Sequence, residues 1–79
     1  MDRASILEKV TQIVAENLEA DISELSEETT FDELDADSFD KLELVTALEE
    51  EFDLTLDDEV LESIASIGDA VDAIFTAQS

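Results

Sequence analysis

The chain has 79 residues, of which 24 are acidic and three basic, giving a formal net charge of −21 at pH 7, and it contains no histidine, cysteine, proline or tryptophan. That charge repels nucleic acid and anionic membrane and selects partners with basic patches, while the missing side chains exclude disulfides, thiolate metal sites and histidine-assisted nucleophiles. The 44% of hydrophobic residues fall at helical spacing rather than scattered, so a single folded domain over 1–79 is expected instead of an acidic disordered chain.

The start of the chain, MDRASILEKV, lacks the apolar region of a secretion signal, and no apolar run approaches the ~18 residues of a membrane span, so a cytoplasmic protein is expected. Residues 4–18 carry Ile6, Leu7, Val10, Ile13, Val14 and Leu18 on one stripe, with Glu8, Lys9, Gln12 and Glu16 off it, which predicts a first helix. Residues 19–37, EADISELSEETTFDELDAD, form a polar connection longer than loops usually run in compact domains. Ile22, Leu25, Phe31 and Leu34 are expected to pin it across the bundle, with one short helical turn near Ile22 to Leu25.

A second helix begins after Asp37, a good N-cap type. With Phe39 as zero and about 100° per residue, Leu44, Val45, Leu48 and Phe52 fall between about 140° and 240° and are expected in the core. Phe39, Asp40, Glu43, Thr46, Ala47 and Glu50 lie on the opposite side, with Leu42 and Glu49 on the flank, so apolar groups project outward among carboxylates as a candidate recognition face. Ser38 sits in the first turn, where free backbone N–H groups and the helix dipole favour a bound phosphate. No base in the chain can activate it as a nucleophile, which leaves a serine that another enzyme modifies.

Asp57 and Asp58 precede Val60, Leu61 and Ile64, and Ser66 precedes Ile67, Val71, Ile74 and Phe75, which predicts a short third helix and a fourth. The expected fold is an all-α four-helix bundle with a short third helix and a long ordered connection between the first two. The carboxylate density suggests calcium, but an EF-hand loop starting at Asp35 would place Phe39 at position 5, Asp40 at the glycine position and Thr46 at position 12, so the pattern fails and no metal site is expected.

The run FDELDADSFDKLELVTALEEEFDLTLDDEVLESI, residues 31–64, resembles the acyl carrier proteins, whose motif is Asp-Ser-Leu at the start of the second helix followed by an acidic run ending in Glu-Glu-Glu-Phe. The resemblance extends over essentially the whole chain. It implies that the chain is not an enzyme, and that a phosphopantetheinyl transferase attaches 4′-phosphopantetheine from coenzyme A to Ser38. Acyl groups then ride as thioesters on the thiol of that arm. It also implies a partner-recognition surface at Asp37, Phe39, Asp40, Leu42, Glu43, Thr46, Ala47, Glu49, Glu50 and Leu56, facing basic patches of the transferase, acyltransferases, ketosynthases, reductases and dehydratases. An acyl chain would tuck between the helices against Phe31, Val45, Leu48, Leu61, Ile64, Ala70 and Ile74.

The sequence departs from the family pattern at four positions. Asp35 replaces the usual glycine three residues before the serine, at a turn of left-handed type that Asp tolerates better than most residues. Phe39 replaces the usual leucine and also follows the serine in D-alanyl carrier proteins, and Asp57 stands where proline is common. Lys41 lies one turn past Ser38 and pairs either with a phosphate there or with Asp37. The start at Met1, the absence of flanking linkers and the ELVTALEEEFD run favour a freestanding, monomeric fatty-acid carrier. The alternative is a carrier for a polyketide, peptide or D-alanyl pathway.

Overall fold

The computed structural model describes residues 2–78. Its regular elements are α1 (Arg3–Leu18), a 3-10 turn (Ile22–Glu24), α2 (Ser38–Phe52), α3 (Asp58–Ser63) and α4 (Ile67–Gln78). The only bridge pairing among the described residues joins Thr30 to Ser66. The fold is therefore the expected all-α bundle with a short third helix and a long connection.

Most helix boundaries follow from local chemistry. Asp2 accepts a hydrogen bond from the Ser5 N–H at 2.8 Å and so caps α1. α1 ends at Glu19 and α2 at Asp53, both left-handed with φ of 54° and 53°, each donating its N–H back to the helix. Ser66 and Asp69 cap α4 reciprocally: Asp69 N–H donates to Ser66 Oγ and Ser66 N–H to the Asp69 carboxylate, both at 3.2 Å. At α3 only Asp57 takes the cap position, its side chain accepts no capping hydrogen bond, and Asp58 is already helical.

α1 is central and packs against both α4 and α2. Its stripe of Ile6, Val10 and Val14 is fully buried, as are Ile67, Val71 and Ile74 of α4, with Leu44, Val45 and Leu48 closing the core from α2. Phe52 is half-buried at the edge of that cluster. Phe75 turns out exposed; at 100° per residue it lies about 80° from Ile67, at the margin of the stripe.

The long connection is held mainly by its backbone. Phe31 N–H donates to Ala65 O and Ile67 N–H to Thr29 O, both at 3.0 Å, and Gly68 N–H donates to Glu27 O at 2.9 Å. These bonds stitch the connection to the loop between α3 and α4. Arg3 adds an ion pair to Glu27 and another to Asp72 at 2.9 Å, and these carboxylates raise the Arg3 pKa further. Phe31 is buried, and Leu25 and Leu34 are half-buried, as expected. Ile22 is not an anchor. It sits in a turn capped by Asp21, which accepts from Ser23 N–H and Oγ, and its side chain is exposed. Among the described residues no helix is long and apolar enough to cross a membrane.

Candidate functional site

The start of α2 is built by a tight turn and a reciprocal cap. Leu34 N–H and Ala36 N–H both donate to Phe31 O, at 3.1 and 3.0 Å. Between them Asp35 adopts φ 57°, the left-handed conformation expected at this position, while Ala36 tucks into the core. Asp37 then accepts from Asp40 N–H at 2.9 Å, and the Asp40 carboxylate accepts from Asp37 N–H at 3.4 Å, completing a capping box. Ser38 is thereby fixed as the first residue of α2. It is exposed, and its hydroxyl has no hydrogen-bond partner among the described residues.

Beside Ser38 lies a cavity of about 220 Å³. Phe31, Leu44, Val45, Leu48, Leu61, Ile64 and Ala70 supply apolar wall, and Ser38, Lys41, Leu42 and Glu62 also line it. Six of the seven residues expected to enclose a chain are thus brought together. Ile74 is the exception: one turn beyond Ala70 on α4, it is packed wholly into the core and does not border the cavity. Leu44 was legible as a core residue but not as a wall, and Lys41 lies beside Ser38 as its one-turn spacing implies.

The outward face of α2 is present as a surface. Phe39 is 65% and Leu42 57% exposed. Together with Glu43, Thr46, Ala47 and Glu50 they line a shallow groove that Asn17 of α1 completes. Asn17 had no sequence signal, since the pattern of α1 does not say which residue meets α2. Asp37 is exposed, whereas Asp40, Ala47 and Glu49 are half-buried.

Leu56 does not belong to this surface. It is only 7% exposed, because its N–H donates to Glu49 Oε2 at 2.8 Å and the chain after α2 turns its side chain into the core. Nor does Lys41 pair with Asp37, whose carboxylate is engaged by the Asp40 N–H; the Lys41 ammonium lies instead over the ring of Phe31, 5.9 Å from its centroid. Among the described residues no cluster of three or more acidic, histidine or cysteine side chains could hold a metal ion.

With no imidazole or thiol in the chain, the serine has nothing to activate it. An exposed hydroxyl, free of hydrogen bonds and beside an apolar cavity, does fit a group installed covalently from outside. Residues 8–74 match the family described as "Phosphopantetheine attachment site". Among solved structures, the chain is similar to the acyl carrier protein of Enterococcus faecalis, at 33% identity over 98% of this chain and 99% of that one, with a TM-score of 0.82. It is equally similar to the acyl carrier protein of Thermotoga maritima, at 33% identity over 99% of this chain and 92% of that one, with a TM-score of 0.83. A family match over most of the chain and structural likeness over nearly all of it agree with the motif around Ser38: this chain belongs to the acyl carrier proteins, carriers without enzymatic activity of their own that bear covalent 4′-phosphopantetheine.

Proposed function

We propose that Ser38 is the attachment residue for 4′-phosphopantetheine, that the chain forms one carrier domain, and that it delivers thioester-bound intermediates of fatty acid synthesis in the cytoplasm. The observation that carries this reading is the exposed Ser38 hydroxyl, free of hydrogen bonds, beside an apolar cavity of about 220 Å³. A hydrocarbon chain loses nothing by entering such a wall. The ammonium of a D-alanyl group would meet mostly apolar wall there, with Glu62 the one carboxylate on the lining, which favours lipid cargo. Phe39 is the one feature that favours the second reading, a carrier for D-alanyl, polyketide or peptide synthesis.

On this reading the α2 groove receives the transferase and the acyltransferases, ketosynthases, reductases and dehydratases of the pathway. Glu43 and Glu50 steer their basic patches, and Phe39 and Leu42 provide contact that becomes buried. Incubation with coenzyme A and a phosphopantetheinyl transferase should add one phosphopantetheine, and Ser38→Ala should accept none while melting like the parent protein. Modification that persists in Ser38→Ala overturns the assignment. The masses of thioesters on protein purified from its own host then separate fatty acyl cargo from the alternatives.

A further inference from the structure

Two of the three cations in this acidic chain are engaged by carboxylates: Arg3 with Glu27 and Asp72, and Lys9 with Glu51 at 3.0 Å. Lys41 has no carboxylate partner among the described residues. It is half-buried, lines the cavity together with Ser38, and holds its Nζ 5.9 Å from the centre of the Phe31 ring. Glu62 lines the same cavity and forms no ion pair with Lys41. Asp37 and Asp40 are tied to each other's main-chain N–H groups in the capping box. Three residues past Ser38, Lys41 projects from the same side of the first turn.

A phosphodiester on Ser38 adds negative charge where Asp35, Asp37 and Asp40 already stand, and Lys41 is the one cation that this turn supplies. A partly exposed cation–π contact is weaker than a charge-assisted hydrogen bond to a phosphate oxygen. We propose that Lys41 is a positioning residue for the phosphodiester on Ser38: its ammonium leaves the Phe31 ring for the phosphate oxygens, which holds the base of the arm beside the cavity and uncovers the Phe31 wall. The inference rests on the assignment of Ser38 as the attachment residue.

The test compares unmodified and modified protein, with isotope-labelled lysine and the added mass at Ser38 established first. The chain has only two lysines, Lys9 and Lys41, so Lys41→Gln assigns the signals. Before modification the Lys41 ε-methylene protons should be displaced upfield by the Phe31 ring current, and modification should abolish that displacement. In modified Lys41→Gln the methyl groups of the arm nearest the phosphate should gain mobility, and Lys41→Arg should restore the parent behaviour. An ε-methylene signal that does not move in fully modified protein overturns the inference and leaves the Ser38 assignment standing. Absence of the added mass at Ser38 overturns both.

Discussion

Phe31 and Phe39 are the same side chain in opposite environments, 2% and 65% exposed, and truncating each to alanine separates core from recognition face. Removing a buried phenylalanine costs about 3–5 kcal/mol, a large share of the roughly 4–12 kcal/mol expected for a domain of this size. Phe39 has only about a third of its surface covered, so the lost transfer energy is about 0.5–1 kcal/mol out of the 1.5–3 of full burial. Alanine returns about 0.5 kcal/mol of helix propensity in α2. The net change for Phe39→Ala is therefore within about 0.5 kcal/mol of zero. At roughly 4–8 °C per kcal/mol in small domains, Phe39→Ala should shift the Tm by a few degrees at most, and Phe31→Ala should lower it by more than about 12 °C. Thermal unfolding followed by circular dichroism reads both. Binding kinetics to the transferase add the functional half, because Phe39→Ala should accelerate dissociation by removing area buried only in the complex. A Tm loss for Phe39→Ala comparable to that of Phe31→Ala would refute the outward placement, and an unchanged dissociation rate would remove Phe39 from the interface.

Two further outcomes test the local architecture. The Asp2 carboxyl lies below its ordinary value of 3.8 because it accepts main-chain and side-chain hydrogen bonds from Ser5. A lowered folded-state value stabilises fully above 3.8 and is lost as pH falls through the folded value, so the Tm difference between the parent and Asp2→Ala should be steady near neutrality and fade below about pH 4; a difference that persists into strong acid would exclude a charged cap. Gly68 is in α4, where alanine would ordinarily gain up to about 1 kcal/mol. Here the added Cβ would stand 3.0 Å from the Glu27 carbonyl oxygen that also accepts the Gly68 N–H. Overpacking of about 1–3 kcal/mol should prevail and lower the Tm, and a higher Tm for Gly68→Ala would show that the long connection yields freely.

Periodicity and caps made the helices legible, because both are local: the stripe of α1, the division of α2 into core and outward sides and the cap at Asp37 follow from neighbouring residues, whereas the left-handed turn at Asp35 was implied only by the family resemblance. What failed depends on contacts that leave no local pattern. The long connection is fastened by main-chain bonds from Phe31, Ile67 and Gly68, which no side-chain signature announces, and so apolar character alone points to Ile22 as an anchor although its side chain is exposed. Leu56 lies in an irregular segment with no period to read, and its direction is set by a hydrogen bond to Glu49, seven residues earlier. The serine site was legible for the opposite reason. Its cap, turn and flanking residues are contiguous, whereas the cavity beside it is assembled from the connection, α2, α3 and α4, and only its apolar membership could be anticipated.

That assembly bears on how one small domain could hold cargo. Sealed and empty, a space of about 220 Å³ would forfeit about 5 kcal/mol at ~24 cal/mol per Å³, but this one opens beside the exposed Ser38, so the loss is smaller and falls on the elements that line it. The helices differ sharply in this respect. The interior contacts of α1 with α4, through Ile6, Val10, Val14, Ile67, Val71 and Ile74, are all fully buried and lie away from the cavity. α3 has six residues, none of them buried, and its cap residue makes no side-chain hydrogen bond; yet it carries Leu61 and Glu62 of the lining, and Ile64 follows at its end. Local stability follows buried contacts and satisfied ends, and of the four helices α3 has the fewest of both. On the proposed function, an acyl chain entering beside Ser38 fills the underpacked space and restores part of the lost contact energy. Of the three helices that line the cavity, α3 is the one whose displacement would break the fewest buried contacts, since it has no buried residue while α2 has three and α4 five.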